Sequence, residues 1–128
     1  MDNENLVLRI EHENWGEFGP GIWESTIWKI YGDLRMEVFL TADLGSDKKK
    51  KQTKISQKDF DYILDLLKQS EKDDKKVLAL DGSAWEIKRY QGKTLVWERK
   101  KAHIYGIRSL ETLSGFLYKL AGMKKINW

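Results

Sequence analysis

Residues 81–103 read DGSAWEIKRYQGKTLVWERKKAH, two apolar runs rich in Trp, Ile and Val around a short glycine-bearing turn, which is the pattern of a β-hairpin. Its register follows from where the charges fall. A two-residue turn at Gln91-Gly92 would set Trp85 and Ile87 on one face with Glu98 and Val96, placing a carboxylate among aromatics. A three-residue loop of Tyr90, Gln91 and Gly92 instead pairs Ile87 with Leu95 and Trp85 with Trp97, with Gly92 in the left-handed position. The second register is the expected one. It gives an apolar face of Trp85, Ile87, Leu95 and Trp97, and an outer face of Glu86, Lys88, Val96 and Glu98 where opposite charges lie close.

Outward from this hairpin, the chain repeats the theme. Residues 34–41 alternate Leu34, Met36, Val38 and Leu40 with Arg35, Glu37, Phe39 and Thr41, the period of a half-buried strand, and residues 22–31 precede them across Gly32-Asp33. In 22–31 both alternating sets are apolar, so that strand is either central and covered on both faces or leaves an aromatic row exposed. Residues 6–10 form a short strand expected at an edge, and the polar residues 43–54 a mobile loop whose last residues add strand pairing.

Two helices are signalled. Ser56 caps, Asp59 stands at the reciprocal capping-box position, and Phe60, Ile63, Leu64 and Leu67 make an apolar stripe running to about Gln69. Leu110, Leu113, Leu117 and Leu120 make the second stripe over residues 109–121, ended by Gly122 in a left-handed cap. Gly115 interrupts this helix, which predicts a close approach to a strand there. The order is strand, hairpin, helix, hairpin, helix: a single α+β domain over residues 1–128, with an antiparallel sheet of five or six strands and two amphipathic helices on one face. The two hairpin-helix halves echo each other, as a duplicated ββα unit would. Trp85, Ile87, Leu95, Trp97, Phe60, Leu64, Leu113 and Leu117 are the predicted core.

The length of 128 residues suits one domain that buries roughly two thirds of its unfolded surface. No cysteine is present, which excludes disulfides, thiolate metal sites and a cysteine nucleophile, and fits a reducing cytoplasm. The opening MDNEN lacks the basic start and apolar run of a secretory signal, and no apolar run approaches a membrane span, so the expected compartment is cytoplasmic.

Chemistry is sparsely signalled. Phosphate loops, HExxH and GxSxG are absent from the sequence, so no catalytic residue, metal ligand or cofactor is assigned. His12 lies between Glu11 and Glu13, but strand neighbours point to opposite faces, so the triplet does not converge and a solvated edge position is expected. Lys48, Lys49, Lys50, Lys51 and Lys54 form a basic patch that would meet phosphates if the fold gathered it on one face, although the net charge is only +3. Six tryptophans are the unusual feature. Trp28, Trp85 and Trp97 are assigned to the core, and Trp15, Phe18, Trp23 and Tyr31 to a partner-binding surface.

The stretches DGSAWEIKRY and ISQKDFDYILDLL, each in its strand or helix context, resemble small uncharacterised α+β domains of bacterial origin with an antiparallel sheet and two helices. The likeness spans residues 23–121, carries no catalytic motif, and implies a fold style without an activity. The expected function is binding to a protein partner, as an inhibitor or immunity-type protein. The alternatives are nucleic-acid binding through the lysines with tryptophan stacking, and an enzyme with an unrecognised site.

Overall fold

The structure is a computed structural model that describes residues 5–14, 25–42, 47–72, 83–102 and 107–122. Trp15, Phe18, Trp23, the run 77–82, His103 and the tail from 123 onward lie outside them, and with them three of the four residues assigned to the partner surface. Eight elements follow in order: β1 (Leu6–Asn14), β2 (Ser25–Tyr31), β3 (Arg35–Ala42), β4 (Asp47–Lys54), α1 (Gln57–Lys72), β5 (Ser83–Gln91), β6 (Thr94–Ala102) and α2 (Arg108–Leu120). The strands form one antiparallel sheet in the order β4-β3-β2-β1-β5-β6, giving the α+β fold.

β1 is therefore central, not an edge. It pairs with β2 on one side and β5 on the other, so Leu8, Ile10 and His12 are buried with Ile30, Trp28 and Thr26 on their left and Ile87 and Trp85 on their right. Both helices cover this face. The Trp28 indole N–H donates to the Leu117 carbonyl of α2 at 3.2 Å, and Arg89 of β5 holds Glu71 of α1 at 3.0 Å. Ile63, Leu66 and Leu67 of α1 and Leu110, Leu113, Leu117 and Tyr118 of α2 complete the core. Each such apolar side chain contributes about 1.5–3 kcal/mol on leaving water.

Local signals hold where they concern one element. Ser56 Oγ accepts the Asp59 N–H at 3.0 Å, and Gly122 closes α2 at φ 71° with its N–H on the Lys119 carbonyl. The buried side of α1 is Ile63, Leu66, Leu67 and Ser70, which leaves Phe60 and Leu64 only partly buried. Gly115 meets no close strand: apart from its own helix turn, no described atom comes within 4 Å of where its Cβ would stand.

Pairings between elements differ more. The second hairpin turns at Gly92-Lys93, with Gln91 opposite Thr94 and Gly92 at φ 64°, the positive φ that a two-residue loop needs at its first position. Continued without a break, that register would face Glu98 to Ile87. An extra residue at Val96 shifts it instead, so Glu98 faces Lys88 on the outer face while Trp97 and Arg99 turn toward the helices. Trp97 is thus half-buried, and Leu95 is 43% exposed where the three-residue loop had placed it in the core. The three-residue loop belongs to the first hairpin, whose left-handed position is Leu34 at φ 72°. That conformation costs a non-glycine residue roughly 1–2 kcal/mol. It is held by the Leu34 N–H on the Tyr31 carbonyl, by the Ile55 N–H on the Leu34 carbonyl, and by packing of the side chain against the core.

Residues 47–54 are a full strand, not a loop. β4 pairs with β3 from Ala42↔Asp47 to Arg35↔Lys54, because β3 would otherwise leave a row of backbone groups unpaired, and an edge strand tolerates lysines that stay in water. β4 also separates the first hairpin from α1, and among the described residues nothing corresponds to it between β6 and α2, so the halves are not a simple ββα duplication.

Candidate interaction face

The helices cover one side of the sheet, so the alternate side chains of every strand stand on the other. On it Ile27 of β2 lies directly opposite Phe39 of β3, both half-buried. The Lys29 and Lys50 ammonium groups sit 5.2 and 5.5 Å from the centre of the Phe39 ring, favourable cation–π placements. A shallow open depression at the margin is lined by Phe39, Leu40, Thr41, Lys48, Lys49 and Lys50.

Next to this pair, Glu37 gathers two of the residues singled out from the sequence. The Tyr31 hydroxyl donates to its Oε1 at 2.8 Å, and Lys50 Nζ stands 3.4 Å from its Oε2. The Arg35 guanidinium carbon stands over Tyr31, 4.1 Å from the ring centre. Burial pushes the Glu37 carboxyl up, but hydrogen bonds from Tyr31 and Lys50, with the Lys50 and Arg35 charges, outweigh it and hold the group below its ordinary value. Burial, then the Glu37 hydrogen bond and charge, push the Tyr31 phenol up. The carboxylate is thus ionised and the phenol neutral at physiological pH, a fixed polar pair.

Toward β1 and β5 the face becomes a mosaic of both signs. Arg9 bridges Glu11 and Glu86 at 3.4 Å each, and Lys88 meets Glu98 at 4.0 Å. Such partly exposed pairs add little stability. They leave a surface whose charges answer one another beside an apolar pair.

The lysine patch does not gather. Strand alternation sends Lys48, Lys50 and Lys54 to the outer face, opposite Thr41, Phe39 and Arg35, and Lys49 and Lys51 to the helix side, opposite Leu40 and Val38. Lys50 is engaged by Glu37, and Lys51 Nζ donates to the Ala121 carbonyl at 3.1 Å, where a cation also suits the C-terminal end of α2.

His12 is the largest departure from the sequence expectation. It is fully buried, stacked on Trp85 at 4.0 Å and 7°, with its Nδ1 2.6 Å from the Tyr118 hydroxyl, which also lies 3.5 Å from Thr26 Oγ1. Trp28 also stacks with Trp85, at 5.8 Å, and Tyr118 meets Trp28 and Trp85 edge-on. Glu11 and Glu13 fall on the opposite face, as strand alternation requires. Burial pushes the Tyr118 phenol up to about 12, the Thr26 hydrogen bond pulling weakly the other way. Among the described residues no three His, Cys, Asp or Glu side chains form a metal-binding group, and no helix is long and apolar enough to cross a membrane.

Sequence reasoning missed Ile27, Glu37, Phe39 and Arg9. For Glu37 and Phe39 the signal was present in the set Arg35, Glu37, Phe39 and Thr41, out of phase with the buried residues of β3, but only strand order brings Ile27 and Arg9 onto the same face. Compared with protein-family models the sequence matches none, and compared with curated proteins it matches none either.

Proposed function

We propose that the chain is a small cytoplasmic protein-interaction domain, of the inhibitor or immunity type, which meets a protein partner with the sheet face its helices leave open. The observation that carries this reading is the half-buried Ile27–Phe39 pair set on the uncovered face among charges of both signs, with Tyr31 beside it. An apolar aromatic centre inside a polar rim is the anatomy of protein interfaces, where a few desolvated anchors carry most of the affinity. The mutually paired charges suit charge matching to another protein better than enclosure of a small substrate.

The nucleic-acid alternative has less behind it. Its lysines divide between two faces, two of them are engaged within the chain, and Trp28 and Trp85 are buried away from any base. An enzyme reading likewise loses its described histidine to the core.

The test is recovery of partners from the cells that make the protein, with wild type, Phe39→Lys and Tyr62→Lys as baits and quantitative mass spectrometry as the readout. Tyr62 is an exposed residue on α1 and serves as the control. A partner held by wild type and Tyr62→Lys, and weakened about 30-fold by Phe39→Lys, supports the reading. Equal recovery by all three baits refutes it, and binding to DNA or RNA that falls steeply with salt would put the nucleic-acid reading in its place.

A further inference from the structure

The two edges of the sheet are built differently. On β4, lysines at positions 48–51 and 54 surround the unpaired backbone groups with charge, the usual protection of an edge against another strand. On β6 no lysine stands in residues 94–98, and the bulge at Val96 is the only interruption of the edge there. Leu95 and Val96 are 43% and 41% exposed, two of the three large hydrophobics so exposed among the described residues, and no described strand pairs with the outward edge of β6. Two adjacent apolar side chains beside backbone N–H and C=O groups that no described strand pairs make a template for strand addition.

We propose that the β6 edge accepts an extended, acidic segment of a protein partner as a further antiparallel strand. Charge selects this occupant over a second copy of the chain. In the described part of β6 and its turn the exposed cations are Lys93 and Lys100, against Glu98 alone, and Glu98 already meets Lys88 at 4.0 Å. Two β6 strands brought together would oppose cation to cation, which destabilises a cross-strand pair. An acidic strand instead places carboxylates near the exposed Lys93 and Lys100 and rests its apolar side chains on Leu95 and Val96. Backbone hydrogen bonds supply the affinity, and the Lys93, Leu95, Val96 and Lys100 side chains set the preference for acidic over basic segments.

This inference rests on the protein-binding reading but uses a surface separate from the Ile27–Phe39 pair, so the two fail independently. The probe is a synthetic peptide of about eight residues, the length of a strand, alternating glutamate and valine. A control peptide has lysine for every glutamate. Binding to the intact chain is followed by amide hydrogen exchange. The Glu-Val peptide should slow exchange in β6 and not in β4, and Val96→Lys or Lys100→Glu should weaken its binding by about tenfold. Phe39→Lys should leave that binding unchanged. Absence of protection in β6, equal protection by the lysine peptide, or loss of binding in Phe39→Lys would each overturn the proposal. So would self-association that protects β6 with no peptide present, since the occupant would then be a second copy.

Discussion

Alkaline pH should destabilise the protein through Tyr118. Its side chain is 2% exposed, and burial holds its phenol up to about 12 against an ordinary value of 10.0. Because the folded state keeps this proton more tightly than the unfolded chain, the unfolded state carries fewer protons between those two values and gains stability as the pH rises. The contribution is fully present below about pH 10 and lost as the pH climbs toward 12. The two-unit difference corresponds to about 2.7 kcal/mol, at a slope approaching 1.4 kcal/mol per pH unit. Urea unfolding at a series of pH values from about 9 to about 12 measures that slope. In Tyr118→Phe it should shrink to what Tyr31, raised in the same direction, supplies. At neutral pH the same variant should lose about 1–3 kcal/mol, since His12 Nδ1 loses its buried partner at 2.6 Å. Parallel stability profiles for wild type and variant across this range, with all five tyrosines of the folded protein ionising together near the ordinary phenol value, would refute the buried network.

Leu67→Ala, at a fully buried position of α1, should cost about 2–5 kcal/mol in urea unfolding, while Leu95→Ala on the exposed edge should change stability by no more than about 0.5 kcal/mol. Equal costs would contradict the register of β6. Gly115→Ala should stabilise α2 by about 1 kcal/mol, because no described atom crowds the new methyl group, whereas Gly92→Ala should destabilise by a similar amount at φ 64°. Thermal unfolding of the two variants should therefore shift in opposite directions.

Much of the fold was legible in the sequence wherever one element carried its own signal. The alternation from Met36 to Leu40, the Ser56 cap and the Gly122 terminus all depend on neighbours a few residues away, and all appear in the structure. Less of the candidate face was legible. Tyr31 and Lys50 were singled out, but that both converge on Glu37 depends on the lateral order of β2, β3 and β4.

The sequence by itself determined the fold class, the two helices and the existence of both hairpins, because periodicity and capping act over one or two turns of chain. Only the tertiary structure decided that β1 lies between β2 and β5, that a bulge at Val96 and not a three-residue loop brings Glu98 to its expected outer place, and that the lysines of residues 48–54 line a paired edge. Strand order and register are set by contacts between distant segments, and the same local pattern satisfies several of them. His12 shows the consequence: its neighbours Glu11 and Glu13 suggest water, yet pairing across to Thr26 and Trp85 places it under α2, bonded to a tyrosine 106 residues away.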